Sequence, residues 1–170
     1  MTDYSKIDFS PLLAAAEGEV VTHSYVRDIA LPSGGTMALI TLDNGEDYTR
    51  PNTLGPLTLR ELNGVLDELT ARAAAGEIKA VGVTGKQFIF AAGADLSKVS
   101  TLANRENAKL MVQYGHWVLG KLGKLGVPSF SFVNGLALGG AMEIALNSDY
   151  RTLDSSAAAL AFPEVFQIGR

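Results

Sequence analysis

An alternation restricts the folding of this 170-residue chain more than any other feature. Short runs of apolar and β-branched residues are followed repeatedly by stretches with helical spacing. Residues 37–42 (Met-Ala-Leu-Ile-Thr-Leu) read as a buried strand, closed by Asp43, Asn44 and Gly45. A polar loop through Arg50, Pro51 and Asn52 comes next. Leu59, Leu62, Val65, Leu66, Leu69 and Ala73 then share one face of a helix expected over 57–75 and ended by Gly76. Residues 80–85 read as the next strand, leading through Lys86 and Gln87 to Phe88, Ile89, Phe90 and the small residues 91–94. The spacing predicts one long amphipathic helix over 104–125, with Leu110, Val112, Trp117, Val118 and Leu122 available to pack. A β-rich run over 127–133 leads through Asn134 and Gly135, read as a small-residue turn, into a helical stretch over 141–146. Residues 150–153 read as a short strand, and 157–161 lead into Phe162, Pro163 and Glu164. Such alternation implies parallel βαβ units and an α/β fold; no internal repeat is visible in the sequence.

Residues 1–35 read as an N-terminal extension and edge hairpin, with a short helix near 12–16, a loosely alternating edge strand over 19–28 and a turn at Pro32, Ser33, Gly34 and Gly35. Residues 36–170 form the expected core domain. With 47% apolar and 19% charged residues, the chain can bury a core and is too apolar for a disordered linker. Its 14 basic and 18 acidic residues are dispersed, so no electrostatic footprint for nucleic acid is present. No apolar run approaches the roughly 18 residues of a membrane span. Met1 to Lys6 lacks the basic-then-apolar pattern of a secretory signal, and a cytoplasmic setting is expected. With no cysteine, and only His23 and His116 as imidazoles, no metal site is expected. Chemistry must therefore come from carboxylates, hydroxyls or backbone.

Three segments can supply it. Ala91, Ala92, Gly93 and Ala94 follow a strand, and their small side chains leave the backbone amides open to an anion or a polarised carbonyl. The same residues equally serve tight helix–sheet packing. In the segment 134–143 a strand runs into Gly139 and Gly140 and then into a helix with Glu143 in its first turn. Gly140 suits an oxyanion donor, because orphan amides and the positive dipole end sit there. Alternatively, Glu143 only stabilises the helix start. The third segment is Pro163-Glu164, where Phe162, Val165 and Phe166 would desolvate the carboxyl and favour its neutral form; a surface glutamate is the other reading. Neither a Walker loop nor a dinucleotide fingerprint is present.

Taken together and in this order, the three segments resemble the crotonase (enoyl-CoA hydratase/isomerase) superfamily over roughly residues 37–168. Arg50-Pro51-Asn52-Thr53-Leu54 is similar to the family's strand-to-helix loop. Residues 90–95 (Phe-Ala-Ala-Gly-Ala-Asp) are similar to its AGAD segment, whose first oxyanion donor falls on Ala94. Residues 134–143 are similar to its glycine-rich segment, which places the second donor on Gly140 and a catalytic glutamate on Glu143. The family's second catalytic glutamate falls on Glu164. The resemblance implies a crotonase-like ββα superhelix and hydration of 2-trans-enoyl-CoA thioesters in fatty-acid β-oxidation. Alternatives are Δ3-Δ2-enoyl-CoA isomerisation, or a non-catalytic fragment that binds CoA esters or a partner. Asn52, Ala92, Gly93, Asp95, Leu96 and Gly139 would line the CoA ester, gripped largely by backbone and loop groups, with Lys86 and Lys98 either phosphate partners or solvated surface lysines. Coenzyme A belongs to the substrate and no resident cofactor is implied. NAD would enter only if a dehydrogenase domain follows, as in the multifunctional fatty-acid-oxidation α chains that 148–151 and 162–165 resemble most.

Two departures accompany this resemblance. Ala141 stands where the family has a third glycine, which is compatible with helical backbone. The interval from Glu143 to Glu164 is one residue longer than usual. The family's later glycine- and proline-rich turn and C-terminal helices do not follow Arg170, so an N-terminal piece of the domain is expected, truncated before those helices. A homo-oligomer, or a part of a β-oxidation complex, is the expected full-length state.

Overall fold

The structure, a computed structural model, describes residues 4–94, 105–157 and 159–163. Among the described residues the strands form two sheets. The larger contains β1 (His23–Ala30), β2 (Thr36–Asp43), β3 (Ala80–Gly85), β5 (Ser129–Val133) and β7 (Tyr150–Leu153), in the order β1-β2-β3-β5-β7. The smaller contains β4 (Phe88–Ala91), β6 (Gly135–Leu138) and β8 (Leu160–Ala161), in the order β4-β6-β8. Among the described strands only the β1–β2 hairpin is antiparallel; their other pairings are parallel. Its turn is the expected one, with Gly34 N–H donating to the Leu31 carbonyl at 2.9 Å.

The chain steps between the sheets in a fixed rhythm. β3 lies in the large sheet, β4 in the small sheet, and helix α3 (Arg105–Leu119) follows. β5 and β6 repeat that step and are followed by α4 (Gly140–Asn147); β7 and β8 make it a third time. This is the ββα superhelix expected from the resemblance. It also reveals a structural repeat that the sequence pattern does not display. β6 is the element that the sequence reading takes for a turn: four residues beginning with glycine are too few to show an alternation.

Pro56, at the start of α2 (Pro56–Ala74), presets a helical φ where no amide partner is needed. That helix buries Leu59, Leu62, Leu66 and Leu69 against the inward residues of the large sheet. Ala38, Ile40, Leu42, Val81 and Val83 supply that sheet face, and Leu12 of α1 (Ser10–Ala14) closes the same cluster. The long helix expected over 104–125 is shorter than that pattern. Gly120 donates to the His116 carbonyl, after which Lys121 reaches back only to Val118, and a 3₁₀ turn at Leu122–Lys124 completes the segment. Glycines at 120 and 123 lower the helical propensity where the tightening occurs. Val112, expected to pack, is 59% exposed. Trp117 is partly buried and stacks on Phe9 with ring centroids 5.7 Å apart. No helix among the described residues is long and apolar enough to cross a membrane.

Candidate functional site

The first candidate donor segment leaves the C-terminal end of β4 and is fastened at once to the loop before α2. Ala92 N–H donates to the Asn52 carbonyl at 2.8 Å, and Leu54 N–H donates to the Gly93 carbonyl at 2.8 Å. Asn52 is fully buried. Its Nδ2 donates to the carbonyls of Leu42 (2.8 Å) and Phe90 (3.1 Å), while its Oδ1 accepts the Asn44 amide at 3.1 Å. The Asn52 side chain joins β2, β4 and their loop, and Asn52 holds the segment in position.

The second candidate segment is held mainly by backbone. Leu138 and Ala161 are register partners in β6–β8, and Gly139 N–H donates to the Ala161 carbonyl at 2.9 Å. Gly139 turns the chain from β6 into α4 with φ +51°, in a region that L side chains rarely adopt. Ala141, in the place of the family's third glycine, is buried in α4, as helical backbone permits. Glu143 is half-buried in the first turn of α4, and its amide donates to the Gly139 carbonyl at 3.2 Å.

The fold brings these two segments into backbone contact. A Cβ added to Gly93 would lie 2.8 Å from the Leu138 carbonyl oxygen and 3.1 Å from the Gly140 nitrogen. Gly93 also has φ +75°, so both space and conformation demand glycine there. Across the junction, a Cβ on Gly140 would lie 3.1 Å from Leu54 Cδ1, which places the loop before α2 beside the same spot. No hydrogen bond to a described residue uses the amide of Ala94 or of Gly140, and among the described residues the Glu143 carboxylate has no hydrogen-bonded or ionic partner. A glycine-lined junction with orphan amides and a carboxylate one helical turn away can polarise a carbonyl oxygen and move a proton beside it.

Asn52, Ala92, Gly93, Ala94, Gly139, Gly140 and Glu143 all belong to these two segments or to the loop that fastens them. Asp95, Leu96, Lys98 and Glu164 lie outside the described residues. One expectation is overturned. Lys86, read as a phosphate partner, is 9% exposed. Its Nζ donates to Asn44 Oδ1 (2.5 Å) and to the carbonyls of Glu46 (2.8 Å), Asp47 (2.9 Å) and Arg50 (2.7 Å), leaving nothing for a ligand. Sequence reasoning also misses Glu19. It accepts the amides of Leu57 (2.8 Å) and Thr58 (2.9 Å), capping α2 from 38 and 39 residues away. Neither residue carries a local signal, because all their side-chain partners are distant in sequence. Among the described residues no group of three or more His, Asp or Glu side chains could hold a metal ion.

An interleaved pair of sheets, with a glycine junction between the end of β4 and the start of α4, defines a class that the family comparison names. Residues 33–169 match the model of the enoyl-CoA hydratase/isomerase family, and the chain belongs to that family. It is 36% identical over 135 residues to the fatty acid oxidation complex subunit alpha of Shewanella amazonensis, a match covering 78% of this chain and 18% of that one. It is 34% identical over 144 residues to the short-chain-enoyl-CoA hydratase of Clostridium acetobutylicum, covering 82% of this chain and 51% of the relative. The chain therefore spans about half of one curated relative and under a fifth of the other. Among solved structures, an enoyl-CoA hydratase from Bacillus anthracis superposes with a TM-score of 0.65 at 28% identity, covering 78% of this chain and 48% of that one. An enoyl-CoA hydratase/isomerase from Xanthobacter autotrophicus gives 0.68 at 27% identity, covering 85% and 51%.

Proposed function

We propose that this chain supplies the thioester-polarising half of an enoyl-CoA hydratase that adds water to 2-trans-enoyl-CoA. The observation that carries the reading is the Gly93–Gly140 junction: orphan amides of Ala94 and Gly140 flank it, and Glu143 follows one turn along α4. In this reading the thioester oxygen sits between those two amides. Negative charge gathers on that oxygen as water adds at C3, and fixed N–H dipoles stabilise it without reorganising. Glu143 takes a proton from the attacking water, and Glu164 delivers one to C2. Coenzyme A arrives with the substrate, and the polarisation needs no resident cofactor. A cytoplasmic setting belongs to the same proposal, as does a place in a homo-oligomer or a β-oxidation complex. The name of the Shewanella relative supports the complex.

Loss of the conjugated-enoyl absorbance of crotonyl-CoA tests the reading. Turnover is expected, and Glu143→Gln should lower it by about 10²–10⁴-fold while thioester binding persists. Near-normal turnover in that variant would remove Glu143 from the mechanism. Conversion of 3-enoyl-CoA to 2-enoyl-CoA without hydration would replace hydratase by isomerase.

A further inference from the structure

The Lys86 ammonium is buried, fully engaged and unused by the mechanism above. It has three N–H donors, and four oxygens converge on it, so it sits in the loop 44–50 as a bound cation would. Its partners lead onward to the site. Asn44, held on Oδ1 by Lys86, donates through Nδ2 to the Pro51 carbonyl at 3.1 Å and through its amide to Asn52 Oδ1 at 3.1 Å. Asn52 in turn holds Phe90 through its side chain and Ala92 through its carbonyl. The Lys86 backbone reaches the other segment: its carbonyl accepts Asn134 Nδ2 at 2.7 Å, at the residue where β5 gives way to β6. One residue is thus tied to both strands that deliver the candidate donors.

We infer that Lys86 is a positioning residue for the oxyanion site, with its ammonium fixing, through Asn44 and Asn52, where the Ala92–Ala94 amides point. The inference rests on the hydratase reading, since it assigns Lys86 a part in that reaction. A donor displaced by about 1 Å can cost 100-fold in rate, whereas ground-state contacts to the CoA ester are spread over other groups. The expected signature is therefore a fall in kcat at nearly constant KM.

The test compares Lys86→Met, which keeps the apolar stem and removes the donors, with Leu12→Ala, a core variant in α1 outside the site. Crotonyl-CoA hydration is measured per folded molecule, and amide hydrogen exchange is followed at Leu54 and Ala92. Lys86→Met should lower kcat about 10- to 100-fold, leave KM within about threefold, and speed exchange at both amides. Leu12→Ala should lower the melting temperature with kcat per folded molecule preserved. Unchanged kcat per folded molecule and unchanged exchange in Lys86→Met would overturn the inference. If the parent chain shows no hydration, the hydratase reading fails separately. Exchange at Leu54 and Ala92 then decides whether Lys86 positions this segment, faster exchange supporting it and unchanged exchange overturning it.

Discussion

The segment at Ala92–Ala94 and the segment at Gly139–Gly140 meet backbone to backbone, yet different groups hold them. The first hangs on side chains: the buried Asn52, behind it the half-buried Asn44, and behind that the buried Lys86. The second hangs on ladder bonds of the small sheet, with Gly139 bonded to Ala161 and its turn set by a positive φ. A side-chain support can be deleted one partner at a time. A backbone support yields only to a change of conformation, so substitutions in the two halves should fail in different ways.

Gly93→Val strikes where the two halves touch and should have the largest effect. Its Cβ would collide with the Leu138 carbonyl and crowd the Gly140 amide, at a φ that L residues disfavour by about 1–2 kcal/mol. Misplacing an oxyanion donor costs about 10²–10³ in kcat, and crotonyl-CoA hydration should fall by at least that much. Preserved activity would show that the junction is not where the thioester is polarised.

Asn52→Leu probes the side-chain half alone. It strands the Phe90 carbonyl and the Asn44 amide in a buried or half-buried setting, and takes from the Leu42 carbonyl one of its two donors, the Lys86 amide remaining. Each orphaned group costs about 1–3 kcal/mol, and after partial relaxation about 3 kcal/mol of stability in total is expected. A urea titration should show a lower midpoint at unchanged slope. A loss well under 1 kcal/mol would mean that the loop before α2 does not depend on this residue. Glu19→Ala is a milder version, since it removes a distant cap from α2 and leaves the sheets alone. Losing a helix N-cap costs about 1 kcal/mol, readable as a small drop in melting temperature; no drop would leave the cap without energetic weight.

The same contrast explains what could be read in advance. β2, β3 and α2 were legible because their signal is local: a run of apolar residues, or a 3.6-residue period, in a contiguous stretch. The glycine junction was legible through its resemblance to a known family, because close backbone approach constrains residue type at fixed spacing. β6 was not, since its pairing partners in β4 and β8 are remote and its own four residues look like a turn. The burial of Lys86 is hidden from the sequence for the same reason. A lysine between two strands carries no mark that its partners are four oxygens from residues 44–50. β5 adds another instance: Ser129 and Ser131 point inward and are fully buried, while Phe130 and Phe132 are only half-buried on the opposite face. Ser131 is satisfied by Ser148, and Ser129 by Asp149. Hydrogen bonds from distant residues decide that arrangement, and hydropathy alone does not.

Asp149, beside the Ser131–Ser148 hydroxyl pair, ties the end of the α4 segment to the large sheet through a side chain, and it separates the two halves most finely. Its Oδ2 accepts the Ser129 amide at 2.8 Å and the Ser129 hydroxyl at 2.9 Å. The backbone bond first, then the hydroxyl, holds the carboxyl below its ordinary value. Asp8, Asp47 and Asp154 are lowered too, but by serine or threonine two residues away. Such local bonds can survive in part in an unfolded chain, whereas the bond from Asp149 to Ser129, 20 residues distant, is lost on unfolding. A lowered folded-state pKa means stability that is present above the unfolded carboxylate value, about 3.9, and that is lost as pH falls through the folded value. Asp149→Asn should therefore cost a little stability at neutral pH and flatten the decline in melting temperature below about pH 5. Asp154→Asn should leave that acid limb nearly unchanged. Equal flattening by the two variants would assign the acid sensitivity to local turns and leave the Asp149–Ser129 tether without a part in it.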